Sequence, residues 1–475
     1  MTTNRSVPHG PTHLSVGKPA GHARRLFSRA HEYAAEYMGG VAERSVAPSR
    51  EAVDGLRNFD EPMPDGPTEP LATLDKLHRF GSPATMAQTG GRYFGFVNGG
   101  VIPEALASRW LIDAWDQNTA LETMSPVGSR LEHVCERWLV DLLGLPEGTS
   151  AGFTNGTSAA LLCCLAAARY ALLARQGWDV NGKGLRGAPG IRILGSDKLH
   201  ASVFRAVQAL GLGTETVERL PTDDRGRILP SSLPALDDRT LLLTQAGEVN
   251  SGSFDRFREL GERTQAAGAW MHVDGAFGLW AAASGSTRHL TDGVELANSW
   301  SVDAHKTLNA PYECGVALVR ERDSMVEALQ AEAAYIPWGK RRDGMAFTLD
   351  MSRRARGAEL WATLHTLGRS GVEALVDHLC RMAHRLGTAL RDRGFVVPHE
   401  VVFNQVMVQT GDGSGLSAIL AEIQRSGECW CGGSVWNGQP VIRVSVCSHA
   451  TTEADIDRTV EAFAAAHRRV VAGPS

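Results

Sequence analysis

Short apolar runs alternate with helical stretches over most of the chain, from Arg92 to about Arg320. Five of these runs have the length and composition of strands: Ile191–Leu194, Thr240–Thr244, Trp270–Val273, Ser299–Val302 and Val316–Arg320. Strands that alternate with helices pair in parallel through crossover connections, which place helices on both faces of the sheet. The alternation therefore predicts an α/β fold with a mostly parallel sheet between helices.

The segments on either side differ in character. The N-terminal residues lack apolar periodicity, and we expect the first helix from about Leu26, followed by a proline-rich connection at Asn58–Pro70. The C-terminal part predicts helices and short strands at Ala358–Leu367, Val372–Arg393, Val401–Gln409, Pro440–Val446 and Thr452–Arg468. We divide the chain into a flexible N-terminus (1–25), an N-terminal helical segment (26–91), a large domain (92–355) and a small α+β domain (356–475).

Composition limits the function classes. The chain of 475 residues is longer than the roughly 250–300 residues that one hydrophobic core accommodates. A formal charge of −5, with 43% hydrophobic and 21% charged residues, disfavours disorder and a polybasic nucleic-acid binder. The sequence shows neither an apolar run of the ~18–20 residues that a membrane span needs nor the apolar region of a signal peptide, so we expect a cytoplasmic protein without membrane or nucleic-acid partners.

The eight cysteines are too sparse for a disulfide scaffold and predict buried thiols. Metal-like spacing occurs at Cys429-Trp-Cys431, but a second Cys or His pair at a zinc-site distance is lacking, so we assign no metal.

A first candidate motif is Phe153–Ser158, which leads from an apolar run into a helix over Ala159–Arg169. Free backbone N–H groups and the dipole at a helix N-terminus favour a phosphate. A simple N-cap by Thr157 or Ser158 is the alternative, and for this motif alone it is the better interpretation.

A second candidate is Asp274, which ends the apolar run of His272-Val-Asp274-Gly-Ala at the edge where α/β sheets place ligands. A buried carboxylate needs a partner, and a protonated heterocyclic nitrogen is one. Capping of the following helix is an equally good interpretation.

Two further candidates also follow apolar runs. Lys306 lies in Ser301–Thr307, and a buried lysine has a depressed pKa that leaves its amine free to form a Schiff base. Most loop lysines are solvated, but the apolar run after Pro311–Gly315 indicates an enclosed loop. His200 has a flat imidazole suited to stacking on a planar cofactor, or is an ordinary hydrogen-bonded histidine.

Together the four features predict a pyridoxal phosphate site: a phosphate cup, a stacking histidine, an aspartate for the pyridine nitrogen and a lysine for the aldehyde. With them, the chain resembles the group II pyridoxal-phosphate-dependent amino acid decarboxylases, the family of aromatic-L-amino-acid and glutamate decarboxylases. The resemblance spans nearly the whole chain through these motifs: Arg92-Tyr-Phe-Gly-Phe-Val97, Ser125-Pro, Thr154-Asn-Gly-Thr157, His200, His272-Val-Asp-Gly-Ala276, Asp303-Ala-His-Lys306 and Arg443-Val-Ser-Val446. It implies fold type I, with a seven-stranded sheet in the cofactor-binding large domain.

The resemblance also implies a role for each matching residue. Lys306 would bond to the cofactor aldehyde, Asp274 would partner the pyridinium, and His200 would stack on the ring. The other cofactor contacts would come from Gly156, Thr157, Ser158, Ala276, Asp303 and His305. The substrate contacts would come from Phe96, Asn98, Asn118 and Arg443, although a structural ion pair is an equally good interpretation of Arg443.

Tyr335 matters most for reaction type. In the family, a tyrosine on a mobile loop reaches the neighbouring subunit's site and protonates the substrate carbon after CO2 leaves. Relatives that form aldehydes typically carry Phe there, so Tyr335 favours decarboxylation of an amino acid to its amine. The resemblance further implies a homodimer with its sites at the interface, where Gln117–Glu122 serve the neighbouring site.

The chain departs from its relatives at Glu248, where they tend to have Asn or Thr, and at Thr307, where many have Trp. The pocket segments Phe96–Gly100 and Gln117–Glu122 are less bulky than in the aromatic decarboxylases, which predicts a smaller or more polar pocket. Oxidative deamination to an aldehyde, transamination and carbon–carbon lyase chemistry remain open on the same scaffold. A non-catalytic, cofactor-binding regulatory homologue is a further alternative, which the retained Lys306, Asp274, His200 and Tyr335 oppose.

Overall fold

A computed structural model of the protein describes residues 20–330, 342–411 and 415–472. Its helices are α1 (Ala20–Gly40), α2 (Arg50–Gly55), α3 (Pro70–Lys76), α4 (Pro103–Trp115), α5 (Pro126–Leu142), α6 (Thr157–Arg175), α7 (Val180–Lys183), α8 (Ala201–Ala209), α9 (Phe257–Ala266), α10 (Arg322–Leu329), α11 (Arg356–Asp392), α12 (Leu416–Ser426) and α13 (Glu453–Ala472). Its strands are β1 (Ser150–Thr154), β2 (Arg192–Ser196), β3 (Val217–Leu220), β4 (Thr240–Gln245), β5 (Trp270–Asp274), β6 (Ser299–Asp303), β7 (Gly315–Val319), β8 (Gln405–Val408), β9 (Gly432–Trp436) and β10 (Gln439–Ser445).

The large sheet has seven strands in the order β1-β7-β6-β5-β4-β2-β3. Neighbours pair in parallel except around β7, which runs antiparallel to both β1 and β6. This confirms the predicted α/β fold of type I with a mostly parallel, seven-stranded sheet. The predicted runs correspond to β2, β4, β5, β6 and β7 within one or two residues.

The central strands are buried on both faces, as their continuous apolar runs predict. In β4, Leu242 packs into a core with β5, β6 and β7 side chains on one face of the sheet. Its neighbours Leu241 and Leu243 point to the other face and pack against α6 and α8. Successive strand side chains alternate between faces, so one strand supplies two cores.

Two strands of this sheet were not predicted from the sequence. The β1 strand contains Ser150, Gly152 and Thr154 among its five buried residues, so its composition is only weakly β-like. The edge strand β3 exposes its two central charged residues and buries only its ends. Neither segment carries the apolar run on which the prediction depends.

The C-terminal part forms a three-stranded antiparallel sheet, β8-β10-β9, with α12 and α13. The two predicted helices near residues 358–393 form the single element α11, which is broken at Gly368 (φ 60°). The α12 helix and the glycine-containing β9 were not predicted. At the other end of the chain, α1 begins at Ala20 rather than near Leu26, because residues 21–25 are mostly exposed and so carry no apolar periodicity.

The sheet topology fixes where a ligand site lies. The strands β1, β2, β4, β5 and β6 run in one direction, so their carboxyl ends meet at one edge of the sheet, where β7 begins. The loops that follow these strands therefore converge there, as in open α/β sheets generally.

Among the described helices, α6 alone has the length and apolarity of a membrane span. Two thirds of its apolar window is buried in the protein, where α6 packs on β5, β6 and β7.

Candidate active site

A cavity of about 440 Å³ lies at the carboxyl edge of the large sheet. It is lined by most of the residues predicted for the cofactor and substrate: Phe96, Gly156, Thr157, Ser158, His200, Asp274, Ala276, Asp303, His305, Lys306 and Arg443. These residues come from the ends of β1, β2, β5 and β6, from the segment before α4 and from the C-terminal sheet, and the fold brings them to one cavity.

The turn between β1 and α6 lines part of this cavity. Gly156 precedes the helix, and Thr157 and Ser158 begin it. The Thr157 hydroxyl is buried without a hydrogen-bond partner among the described residues. An unpaired buried hydroxyl beside a helix N-terminus is suited to a phosphate oxygen.

Asp303 joins this turn to Lys306. One carboxylate oxygen accepts the Thr157 N–H (2.7 Å) and the other lies 3.0 Å from the Lys306 Nζ. Although burial raises the pKa of Asp303, the charge of Lys306 and the hydrogen bond from Thr157 outweigh it and hold the pKa below its usual range. Asp303 therefore positions both the lysine amine and the first turn of α6.

His305 lies beside the same carboxylate, with its Nε2 3.7 Å from Asp303 Oδ2. Its Nδ1 accepts the Cys314 N–H (3.1 Å), which fixes the ring orientation and leaves Nε2 as the nitrogen facing the site. Burial lowers the pKa of His305, so the imidazole is a neutral donor near neutral pH.

Asp274 and His200 both line the cavity. Asp274 accepts one hydrogen bond from a described residue, the Ala276 N–H (3.2 Å), and burial raises its pKa although His200 and Lys306 lower it. A buried carboxylate with one weak donor is suited to a cationic ring nitrogen. His200 caps α8 through its Nδ1, which accepts the Ser202 N–H (3.2 Å), so its ring is held at the cavity wall.

Glu248 does not contact the cavity through its side chain. Its carboxylate accepts the N–H groups of Asn250 and Ser251, both at 2.7 Å, and so closes its own turn. The neighbouring Gly247 and Val249 line the cavity instead. The departure at Glu248 therefore reinforces the loop rather than adding a charged group to the site.

Arg443 reaches the cavity from β10. Its Nη1 lies 3.5 Å from the Val249 carbonyl, and it forms no ion pair with a described carboxylate. Burial lowers the pKa of Arg443, and the charge of Glu248 opposes that effect. The guanidinium thus remains able to bind a carboxylate, and no structural ion pair of Arg443 is found in the described ranges.

The remaining predicted substrate residues differ in position. Asn98 does not line the cavity, but its side-chain oxygen accepts the hydroxyl of Tyr312, which does (2.9 Å). Asn118 lies away from this cavity and accepts the backbone N–H groups of Ala120 and Arg353. Tyr335 lies outside the described residues.

Several cavity residues were not predicted from the sequence. Asn155, Ser202, Gln245, Tyr312 and Glu313 all line it. Tyr312 packs on the His305 ring with 4.2 Å between centroids. The enclosed loop after Lys306 was the one signal in the sequence that pointed to Tyr312.

The described residues contain no cluster of three or more metal-ligating side chains. Burial raises the pKa of Cys429 to about 12, so this thiol is protonated near neutral pH.

The fold and the cavity define an α/β protein of fold type I that binds pyridoxal phosphate. The unpaired Thr157 hydroxyl fits the phosphate, the Asp274 carboxylate fits the ring nitrogen, and the Lys306 amine fits the aldehyde. Residues 59–410 match the family described as the pyridoxal-dependent decarboxylase conserved domain. The chain belongs to this family, and its cofactor is pyridoxal phosphate.

Over the aligned segments, the relatives are about a quarter identical to the chain. It is 28% identical to the acidic amino acid decarboxylase GADL1 of Mus musculus over 66% of this chain and 59% of that protein. It is 26% identical to the aromatic-L-amino-acid decarboxylase of Bacillus atrophaeus over 76% of each chain. The alignments to GADL1 of Mus musculus and of Xenopus tropicalis span 59% and 61% of those proteins.

Solved structures show the same fold. Apo mouse CSAD superposes with a TM-score of 0.86 at 21% identity, covering 94% of this chain and 99% of that one. Oryza sativa TDC with PLP and tryptamine gives a TM-score of 0.85 at 20% identity, covering 96% and 99%. At these identities the likeness concerns the fold alone.

Proposed function

We propose that this protein decarboxylates an L-amino acid to the corresponding amine and CO2. The observation that carries the proposal is the convergence of Lys306, Asp274 and His200 with the α6 N-terminus in one cavity. Family membership and the decarboxylases among its relatives support the same reaction.

The bound cofactor supplies an electron-accepting ring for the cleavage of the bond to the carboxylate. Asp274 holds a proton on the ring nitrogen, since a cationic partner offsets the burial of its carboxylate. His200 would lie against the ring, and Lys306 would provide the amine for covalent attachment. Gly156, Thr157, Ser158 and His305 hold the phosphate.

Arg443 binds a substrate carboxylate, because it is a half-buried cation in the cavity that forms no ion pair with a carboxylate in the described ranges. Phe96 and the Tyr312–Asn98 pair bound the space for the side chain. A proton replaces CO2 on the α-carbon, and the sequence points to Tyr335 as its donor.

A homodimer completes the proposal. Large apolar side chains are exposed on α4, on the segment that follows it and at the start of α5: Leu111 (55%), Trp115 (41%), Met124 (50%) and Val127 (40%). Such a group is suited to burial against a second copy of the chain. Asn118 lies in this region, which supports its predicted role in the neighbouring subunit's site. We place the enzyme in the cytoplasm, where its eight buried free thiols stay reduced.

Incubation of the purified protein with a panel of acidic, aromatic and non-proteinogenic amino acids tests the proposal. We expect an amine and an equimolar amount of CO2 from at least one of them, and neither product from Lys306→Ala. Aldehyde with ammonia and peroxide would instead show oxidative chemistry. A protein that binds pyridoxal phosphate but turns over no member of the panel would favour the regulatory homologue.

A further inference from the structure

Asn309 lies three residues after Lys306, in the turn that carries the lysine. It is fully buried and has a left-handed backbone conformation (φ 58°). Asparagine tolerates this conformation better than most residues, but a turn alone needs no buried amide.

The side-chain amide of Asn309 joins two parts of the fold. Its Nδ2 donates to the carbonyls of Thr307 and Cys447, both at 2.9 Å, and lies 3.2 Å from the carbonyl of Lys306. Its Oδ1 accepts the backbone N–H of His449 (2.8 Å). Every hydrogen-bonding group of the amide is therefore used, on one side by the lysine turn and on the other by the segment after β10.

A third segment encloses the same turn. The Asn309 carbonyl accepts the Ile102 N–H at 3.0 Å. A Cβ at Gly99 would lie 2.2 Å from the Lys306 carbonyl oxygen, so the backbone of this segment approaches the lysine as closely as glycine allows. The backbone of Lys306 is thus fixed from two sides, and Asn309 supplies the contacts on the C-terminal side.

We propose that Asn309 is a positioning residue, whose amide fixes the Lys306 backbone against the C-terminal segment so that the amine reaches Asp303 and the cavity. The inference rests on the proposed function, in which Lys306 carries the cofactor. Asn309 acts through the lysine turn, and it does not line the cavity.

Asn309→Asp tests this role, because aspartate keeps the shape and the left-handed backbone but has no N–H donor for the three carbonyls. Asn404→Asp is the matched control. Asn404 is also fully buried, and its Nδ2 donates to the Val446 carbonyl (3.1 Å), next to Cys447, but its amide does not contact the lysine turn.

For each variant we would measure the melting temperature of the apo protein, the Kd for pyridoxal phosphate, the visible absorption of the bound cofactor over a pH series, and kcat and KM. Both Asp variants should melt at a lower temperature. Asn309→Asp alone should bind the cofactor about tenfold or more weakly, by analogy with outer-shell partners of bound metals. It should also shift the pH at which the bound cofactor changes its absorption, and lose about 10²-fold in kcat.

Equal losses of melting temperature in both variants, with cofactor Kd and absorption unchanged in Asn309→Asp, would overturn the proposal. If Asn309→Asp does not fold, Asn309→Gly keeps the left-handed backbone and should show the same weaker cofactor binding. If Asn309→Gly bound the cofactor as tightly as the parent, that result would also overturn the proposal.

Borohydride reduction of the loaded parent enzyme and peptide mapping separate the two proposals. A label elsewhere than Lys306 would refute the proposed site. A label on Lys306, with cofactor affinity unchanged in Asn309→Asp, would refute only the role of Asn309.

Discussion

Asp303 illustrates how one buried side chain organises this site. It accepts a hydrogen bond from the first turn of α6 and pairs with the Lys306 amine, so one carboxylate links the α6 N-terminus to the lysine. A buried carboxylate between two donors keeps both in place, because leaving either one unpaired is costly. The site is thus held together by its own polar contacts.

Lys306→Ala should abolish both the visible absorption of bound cofactor and its borohydride-stable attachment, because the only amine facing Asp303 and the cavity among the described residues is removed. Absorption spectra and peptide mapping of the reduced protein measure this. Lys198→Ala is the control, since Lys198 pairs with Asp197 outside the cavity and should leave both signals unchanged. A label on Lys198 or Lys340 in the parent would show that the attachment site is misassigned.

Tyr335→Phe should retain cofactor and substrate binding but lose amine formation by roughly 10²–10⁴-fold, the range for an ordinary general acid. Part of the flux should go to aldehyde, ammonia and peroxide, because the electron-rich state that is no longer protonated reacts with oxygen. Product analysis with an oxygen electrode reports both effects.

Tyr93→Phe is the control for that experiment, because Tyr93 is buried against Trp430 (5.2 Å between centroids) and outside the cavity. It should form amine at nearly the parent rate. An unchanged rate in Tyr335→Phe would show that another group, with His200 the first candidate, delivers the proton.

At the scale of elements, the turn before α6, which we propose to hold the phosphate, depends on how closely β7 packs against it. A Cβ at Gly315, the first residue of β7, would lie 2.4 Å from the Gly156 Cα. Backbone atoms cannot move aside as a flexible side chain does. Because Gly315 has no side chain, β7 can pack closely against the turn at Gly156 and so fixes its position.

Gly315→Ala should displace this turn, lower the stability by about 1–3 kcal/mol and weaken cofactor binding. Denaturant unfolding and cofactor titration measure the two effects. Gly432→Ala, in β9, is the control, since a Cβ there meets no atom within 4 Å and both quantities should stay near the parent values. Parent-like cofactor affinity in Gly315→Ala would show that the turn does not depend on this contact.

At the scale of the whole molecule, the exposed apolar side chains of α4 predict a homodimer of two 51.0-kDa chains. Light scattering should give twice the chain mass. Leu111→Glu together with Trp115→Glu should shift the protein towards monomer and reduce activity, because a charge buried in an apolar interface is strongly disfavoured. Val471→Glu, at an exposed apolar residue of α13, should leave the mass unchanged. A fully active monomer would contradict the shared site.

Local sequence patterns determined a large part of this molecule. The apolar runs of β4, β5 and β6 end at or just before residues that turn out to lie at one sheet edge, so Asp274 and Lys306 were predicted as neighbours before any contact was known. Helix and strand periodicity is a property of short segments, and the sequence displays it directly. The family motifs then indicated the role of each site residue, which the periodicity of helices and strands cannot indicate.

Other features were decided only by the tertiary structure. They include the antiparallel direction of β7, the hydrogen bonds of the Glu248 carboxylate to its own turn, and the position of Tyr312 at the cavity. Each depends on what packs against the segment. Asn309 binds the Cys447 carbonyl across 138 positions of the chain, a contact that no local pattern encodes. Local periodicity sets which elements form, whereas contacts between residues far apart in sequence set how their ends meet.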